Sequence, residues 1–141
     1  MTRTAHRRRV LVADDDPDML ALVASVFRAT GAQVVEAHDG ADLLHLAANA
    51  TDAEDNHFDA IFSDIQMPYM TPIDVMERLP ILARHTPVIL FTAVRDRVLR
   101  DKAYHLGVEA IIDKPLNPMD LIALMRFVTM RSEKGDANVR N

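Results

Sequence analysis

The sequence predicts an α/β domain built on a five-stranded parallel sheet, and two observations predict it. Five short apolar runs, at residues 10–13, 33–37, 58–63, 87–91 and 108–112, alternate with helical stretches near 17–30, 40–50, 72–84, 94–106 and 118–131. Regular alternation of strand and helix gives a parallel sheet covered on both faces, with right-handed crossovers. The second observation is that runs such as "VILF" are apolar at every position, as strands buried from both sides must be.

Each element has local signals of its own. Asp16-Pro17, Thr71-Pro72 and Asn117-Pro118 put a capping side chain before a proline at the first helical position, which starts the first, third and fifth helices. Asp74 and Asp120 fall three residues after their caps, at the positive end of the helix dipole. Gly31 and Gly107 are expected to end the first and fourth helices. In the first helix Met19, Leu22, Val23, Val26 and Phe27 fit a core stripe, which leaves Leu20, Ala21 and Ala24 outward. Residues 49–57 read as a polar loop. One domain is expected, over residues 8–131, with a flexible basic lead-in at 1–7 and a disordered polar tail at 132–141. Arg3, Arg7, Arg8 and Arg9 are assigned to a solvated lead-in.

Composition narrows the function classes. With a net charge of −5 and no acidic tail, the chain has no charge suited to non-specific binding of nucleic acid or anionic membranes. There is no cysteine, so disulfides and thiolate metal sites are excluded. No apolar run approaches the ~20 residues of a membrane span, and the run after the basic start is too short for a signal-peptide core. A cytoplasmic location is expected. The six histidines are scattered, with no His-x-x-x-His pair, and read as surface residues, and the eight methionines as core filling.

In an open parallel sheet, ligands bind beyond the carboxyl ends of the strands. The predicted strands end at Asp14 and Asp15, at Asp64, at Thr92 and at Lys114. Three carboxylates, one hydroxyl and one ammonium therefore meet at one edge. Carboxylates a few ångströms apart raise one another's pKa unless something positive intervenes. An all-oxygen donor set suits Mg²⁺ or Mn²⁺. Lys114 would hold a further negative group, Thr92 would donate to an oxyanion, and a carboxylate is available as nucleophile, which together describe a phosphoryl site. Asp16, before Pro17, reads as a cap, and Asp18 and Asp113 as exposed charges.

The stretches "VLVADDDPDML", "FDAIFSDIQMP", "TPVILFTA" and "AIIDKPL", in this order, resemble the receiver domain of bacterial two-component response regulators over residues 8–131. The resemblance implies a flavodoxin-like (βα)5 three-layer sandwich with strand order 2-1-3-4-5. It implies a phosphorylation-dependent switch, not an enzyme acting on other substrates. Asp64 would accept the phosphoryl group from a histidine kinase, a phosphotransfer protein or a small acyl phosphate. Asp15 and, through water, Asp14 would hold Mg²⁺ with Asp64 and the backbone carbonyl of Gln66. Lys114 would bind the phosphoryl oxygens, with Lys114–Pro115 cis, and Thr92 would be the switch hydroxyl. Gln66 and Val94 would tune the phosphoryl lifetime.

Two departures from that pattern stand out. Thr71-Pro72 replaces the usual Asp-Gly, which stiffens the loop after Asp64. Ile111 stands where the family commonly has Tyr or Phe, so the usual threonine–aromatic coupling is absent; Tyr104 is a substitute or an ordinary amphipathic residue. The fourth helix, fifth strand and fifth helix would form the signalling face, where Arg95, Arg97, Arg100 and Lys102 offer a basic strip to an acidic protein target. The outward side of the first helix would dock a phosphotransfer helical bundle. A stand-alone receiver, monomeric or weakly dimeric, is expected. Two alternatives are a pseudo-receiver that binds partners without phosphorylation and, from Asp14-x-Asp16, an aspartate-nucleophile phosphohydrolase.

Overall fold

The computed structural model describes residues 7–50 and 56–139, with side chains as far as Met130. Its elements are β1 (Arg9–Ala13), α1 (Pro17–Arg28), β2 (Gln33–Ala37), α2 (Gly40–Ala48), β3 (Ala60–Asp64), α3 (Pro72–Arg78), α4 (Leu82–His85), β4 (Val88–Thr92), α5 (Arg97–His105), β5 (Ala110–Asp113) and α6 (Pro118–Val139). The sheet runs β2-β1-β3-β4-β5, and every pairing is parallel. This is the expected flavodoxin-like three-layer sandwich.

Strand alternation divides the core in two. Leu11, Ala13, Ile61, Val88 and Leu90 face one side, against α2, α3 and Ala103 of α5. Val10, Val12, Ala60, Phe62, Ile89 and Phe91 face the other, against α1 and α6. On that second face Phe27 and Phe62 lie 4.6 Å apart, centroid to centroid, and Phe91 continues the stack 6.1 Å beyond Phe62.

The three cap-proline starts form as expected. Asp16 accepts from the backbone N–H groups of Asp18 and Met19, Asn117 Oδ1 from Met119 and Asp120, and Thr71 joins Asp74 in a reciprocal capping box. Each such cap contributes about 1 kcal/mol. Gly31 and Gly107 both take positive φ, the left-handed geometry that closes a helix.

Several expectations are corrected. The stripe of α1 is Leu20, Val23, Ala24 and Phe27, spaced i, i+3, i+4, i+7 and all buried. Leu22 is 49% exposed, so the docking surface expected on Leu20 and Ala24 does not exist; Ala21 alone of that trio faces out. A helix apolar on nearly every side offers two candidate stripes, and the sheet selects one. The third helix does not run over 72–84: it breaks at Pro80, which lacks a backbone N–H, and resumes as the single turn α4. α5 begins at Arg97 and not near 94, because Asp96 caps it by accepting from Leu99 N. α6 continues to Val139, past the expected helix end near 131, and no proline intervenes to stop it.

Arg9 belongs to β1, its guanidinium 4.2 Å above the Phe58 ring, and Arg8 Nε donates to Thr129 Oγ1 on α6. The basic cluster is therefore partly built into the fold and is not only a solvated lead-in. Arg3 and most of the expected lead-in, like 51–55 of the polar loop, lie outside the described residues.

The corrected α1 face has a direct consequence. Leu20→Ala is expected to destabilise the domain by about 2–5 kcal/mol, whereas Leu22→Ala stays within about 0.5 kcal/mol. Urea unfolding at unchanged m-value measures both.

Candidate functional site at the carboxyl edge of the sheet

The carboxyl ends of β1, β3 and β5 bring Asp14, Asp15, Asp64 and Lys114 together, and Thr92 ends β4. One carboxylate oxygen each from Asp14, Asp15 and Asp64 lies within 4.8 Å of the others. Asp14 and Asp64 are buried and Asp15 is exposed. From the end of β5, Lys114 Nζ donates to Asp64 Oδ2 at 2.6 Å and sits 3.9 Å from Asp14 Oδ2. Backbone bonds fix this edge: Ile65 N donates to Phe91 O and Lys114 N to Thr92 O, each at 2.8 Å. Lys114–Pro115 is cis.

One ammonium cannot neutralise three carboxylates. The remaining oxygens find partners unequally. Asp64 Oδ1 accepts from Gln66 N at 2.8 Å and Asp14 Oδ1 from Asp16 N at 2.9 Å, but Asp14 Oδ2 is buried with no hydrogen bond. Burial pushes the Asp14 pKa above the ordinary carboxylate range, and Asp64 raises it further, against the bond from Asp16 N and the charge of Lys114. An orphaned buried carboxylate oxygen in an all-oxygen cluster is the donor set of a hard divalent cation, so these residues fit one.

Thr92 is engaged within its own loop. Its Oγ1 donates to Val94 O at 2.9 Å and accepts from Val94 N at 3.0 Å. To reach an oxyanion on Asp64, this hydroxyl has to release the Val94 carbonyl. Gln66 and Val94 are both exposed beside the site.

The loop from β3 to α3 is tied at several points. Met70 N donates to Pro68 O across Tyr69, a γ-turn that gives Tyr69 a φ of +69° and leaves its side chain fully exposed. A bulky residue at positive φ is strained. The loop then rests on the start of α2: a Cβ on Gly40 would lie 2.0 Å from Met70 O. Nothing in the sequence pattern flagged Gly40 or Tyr69, because both depend on a contact between segments distant in the chain. Asp113, read as an exposed charge, is ion-paired to Arg100 of α5. Tyr104 Oη accepts from Ile111 N at 3.2 Å and does not enter the site. The only cluster able to hold a metal among the described residues is the carboxylate trio, and no histidine joins it.

Comparison with known proteins narrows what a parallel α/β domain with an acidic edge and an opposed lysine can be. Residues 10–126 match the family model described as "Response regulator receiver domain", and the chain belongs to that family. It is 29% identical over 133 residues to the transcriptional regulatory protein CpxR of Escherichia coli, covering 94% of this chain and 54% of that one. It is 34% identical over 126 residues to the transcriptional regulatory protein PrrA of Mycobacterium bovis, covering 87% and 50% respectively. The chain thus spans about half the length of these curated relatives. Among solved structures it resembles the receiver domain of the Francisella response regulator 1452, with a TM-score of 0.77, 27% identity and coverage of 89% and 99%. It shares its fold with a CheY-like receiver domain from Methanospirillum hungatei, with a TM-score of 0.82, 24% identity and coverage of 92% and 98%. No helix among the described residues is long and apolar enough to cross a membrane.

The close approach at Gly40 leads to one expectation. Gly40→Ala forces the Met70 carbonyl to move and is expected to cost about 1–3 kcal/mol, the range for overpacking a tight contact. Urea denaturation of the variant beside the wild type measures it.

Proposed function

We propose that the chain is a cytoplasmic phosphorylation-dependent switch that takes a phosphoryl group onto Asp64 from a histidine kinase or a histidine phosphotransfer protein. The observation that supports this reading most is the 2.6 Å contact between Lys114 Nζ and Asp64 Oδ2, beside the orphaned Asp14 oxygen. Asp64 is held at two points, by Lys114 and by Gln66 N, which fixes the carboxylate for attack. An oxygen of Asp64 attacks phosphorus as the bond to the donor's nitrogen or acyl oxygen breaks, and the donor leaves with that electron pair. Lys114 then stabilises the phosphoryl oxygens.

Asp14, Asp15 and Asp64, with the carbonyl of Gln66, would hold Mg²⁺, or Mn²⁺ in its place. When bound, such an ion supplies charge neutralisation for the transferring group. Thr92 exchanges its bond to the Val94 carbonyl for one to the phosphoryl group, and that exchange frees the β4–α5 loop. The altered face is α5, β5 and α6, which meets a downstream protein. Of its basic strip, Arg100 and Lys102 are paired with Asp113 and Glu77, which leaves Arg95 and Arg97 for an acidic partner. The domain acts as a monomer or weak dimer.

The test uses Mg²⁺, acetyl phosphate and intact-mass measurement. The wild type is expected to gain one phosphoryl adduct and Asp64→Asn none. Lys114→Ala is expected to react at least about tenfold more slowly, as loss of one charge-stabilising donor at a reacting group costs 1.4 kcal/mol or more. An equal adduct on Asp64→Asn would contradict the proposal. A wild type that takes no adduct and ignores beryllofluoride would favour a pseudo-receiver.

A further inference from the structure

α5 is held to the domain in an unusual way. Its only buried residue is Ala103, where α1 buries four. Leu99 and Leu106 are only partly buried against the core. A helix with so little apolar anchoring is placed largely by its polar contacts, and such elements are the ones that move first. Three contacts are present. Lys102 Nζ lies 3.3 Å from Glu77 Oε1 on α3. Tyr104 Oη accepts from Ile111 N at 3.2 Å. Arg100 Nη2 pairs with Asp113 Oδ1.

Two of these contacts converge on β5. Arg100 and Tyr104 are four residues apart and lie on one side of α5. Ile111 and Asp113 are two apart and lie on one side of the strand. β5 is an edge strand, paired only with β4, and Tyr104 occupies one of its open donors. Asp113 is the last residue of β5, and the next residue is Lys114, which grips Asp64. Successive side chains in extended backbone point to opposite sides, so the strand end holds the phosphoacceptor with one residue and α5 with its neighbour.

We infer that Arg100 is a positioning residue: through Asp113 it makes α5 follow the strand end that carries Lys114. The inference rests on the phosphoryl-switch reading and adds to it the route by which the site reaches α5. When Lys114 turns from the Asp64 carboxylate to a phosphoryl group on it, the end of β5 shifts, and the Arg100–Asp113 pair carries the shift to α5. Tyr104 is the second point of attachment. The pair is partly open to solvent, with the Asp113 side chain 54% exposed, so salt weakens the coupling. A general role in stability would not confer that dependence on the response of one helix.

Amide hydrogen exchange on the full chain tests this, read over residues 97–105 and separately over 88–94, with Mg²⁺ alone and with Mg²⁺ plus beryllofluoride. In the wild type beryllofluoride is expected to change exchange in both segments by about threefold or more. Arg100→Gln and Asp113→Asn are each expected to keep the response over 88–94 and lose most of it over 97–105. The exchanged pair, Arg100→Asp with Asp113→Arg, is expected to recover it. A response over 97–105 that survives in both single variants overturns the inference, and so does an exchanged pair that fails to restore it. A wild type that responds in neither segment overturns the phosphoryl-switch reading itself, so the two failures are distinguishable.

Discussion

Three carboxylates crowd one corner of this domain, and a single lysine answers them. Asp14, Asp15 and Asp64 place oxygens within 4.8 Å of one another, while Lys114 reaches Asp64 closely and Asp14 only at 3.9 Å. A folded chain does not ordinarily keep a buried carboxylate oxygen without a hydrogen bond, yet Asp14 Oδ2 accepts none. The imbalance costs stability and, for the same reason, suits this corner to the divalent cation proposed for it. The rest of the edge maintains it. The parallel registers fix where β1, β3 and β5 end, and Asp16, turned to cap α1, leaves its own N–H to Asp14.

Much of this was legible in the chain. Layering followed from alternation and apolar runs, since burial on both faces of a parallel sheet constrains every strand position, and strand order from the resemblance to receiver domains. The site residues were legible because strand ends concentrate chemistry, and Asp14, Asp15, Asp64, Thr92 and Lys114 all fall there. What stayed hidden was set by contacts between distant segments. α1 carries apolar residues on nearly all sides, so periodicity alone did not choose between Leu20 and Leu22. Pro80 carried a signal that a helix over 72–84 had to be interrupted, and the length of the pattern masked it. Gly40 looks like any helix start until Met70 is packed on it.

The loop after Asp64 and the helix after Thr92 have opposite mechanical characters. Pro68, the γ-turn at Tyr69, the capping box of Thr71 and Asp74, and the contact with Gly40 fix the former. α5 buries one alanine and depends on polar contacts. The backbone beneath Asp64 is thus tied at several points, while the helix beyond Thr92 is seated on few apolar contacts. Ile111, aliphatic where the family commonly has an aromatic ring, fits a domain in which the link from site to helix runs through side chains of α5.

The central claim is that uncompensated negative charge at Asp14 shapes this corner. Its carboxyl pKa is raised in the folded state, so the folded protein holds that proton after the unfolded chain has released it. Stability therefore falls as pH rises from near the ordinary Asp value, 3.8, through the raised one. The most direct measurement is the unfolding free energy of wild type and Asp14→Asn from about pH 4 to pH 7, without and with Mg²⁺. The account predicts that, without metal, the wild type loses stability relative to Asp14→Asn as pH rises, and that Mg²⁺ stabilises the wild type more than the variant. A difference between the two proteins that does not change with pH, or an equal Mg²⁺ effect on both, would contradict it.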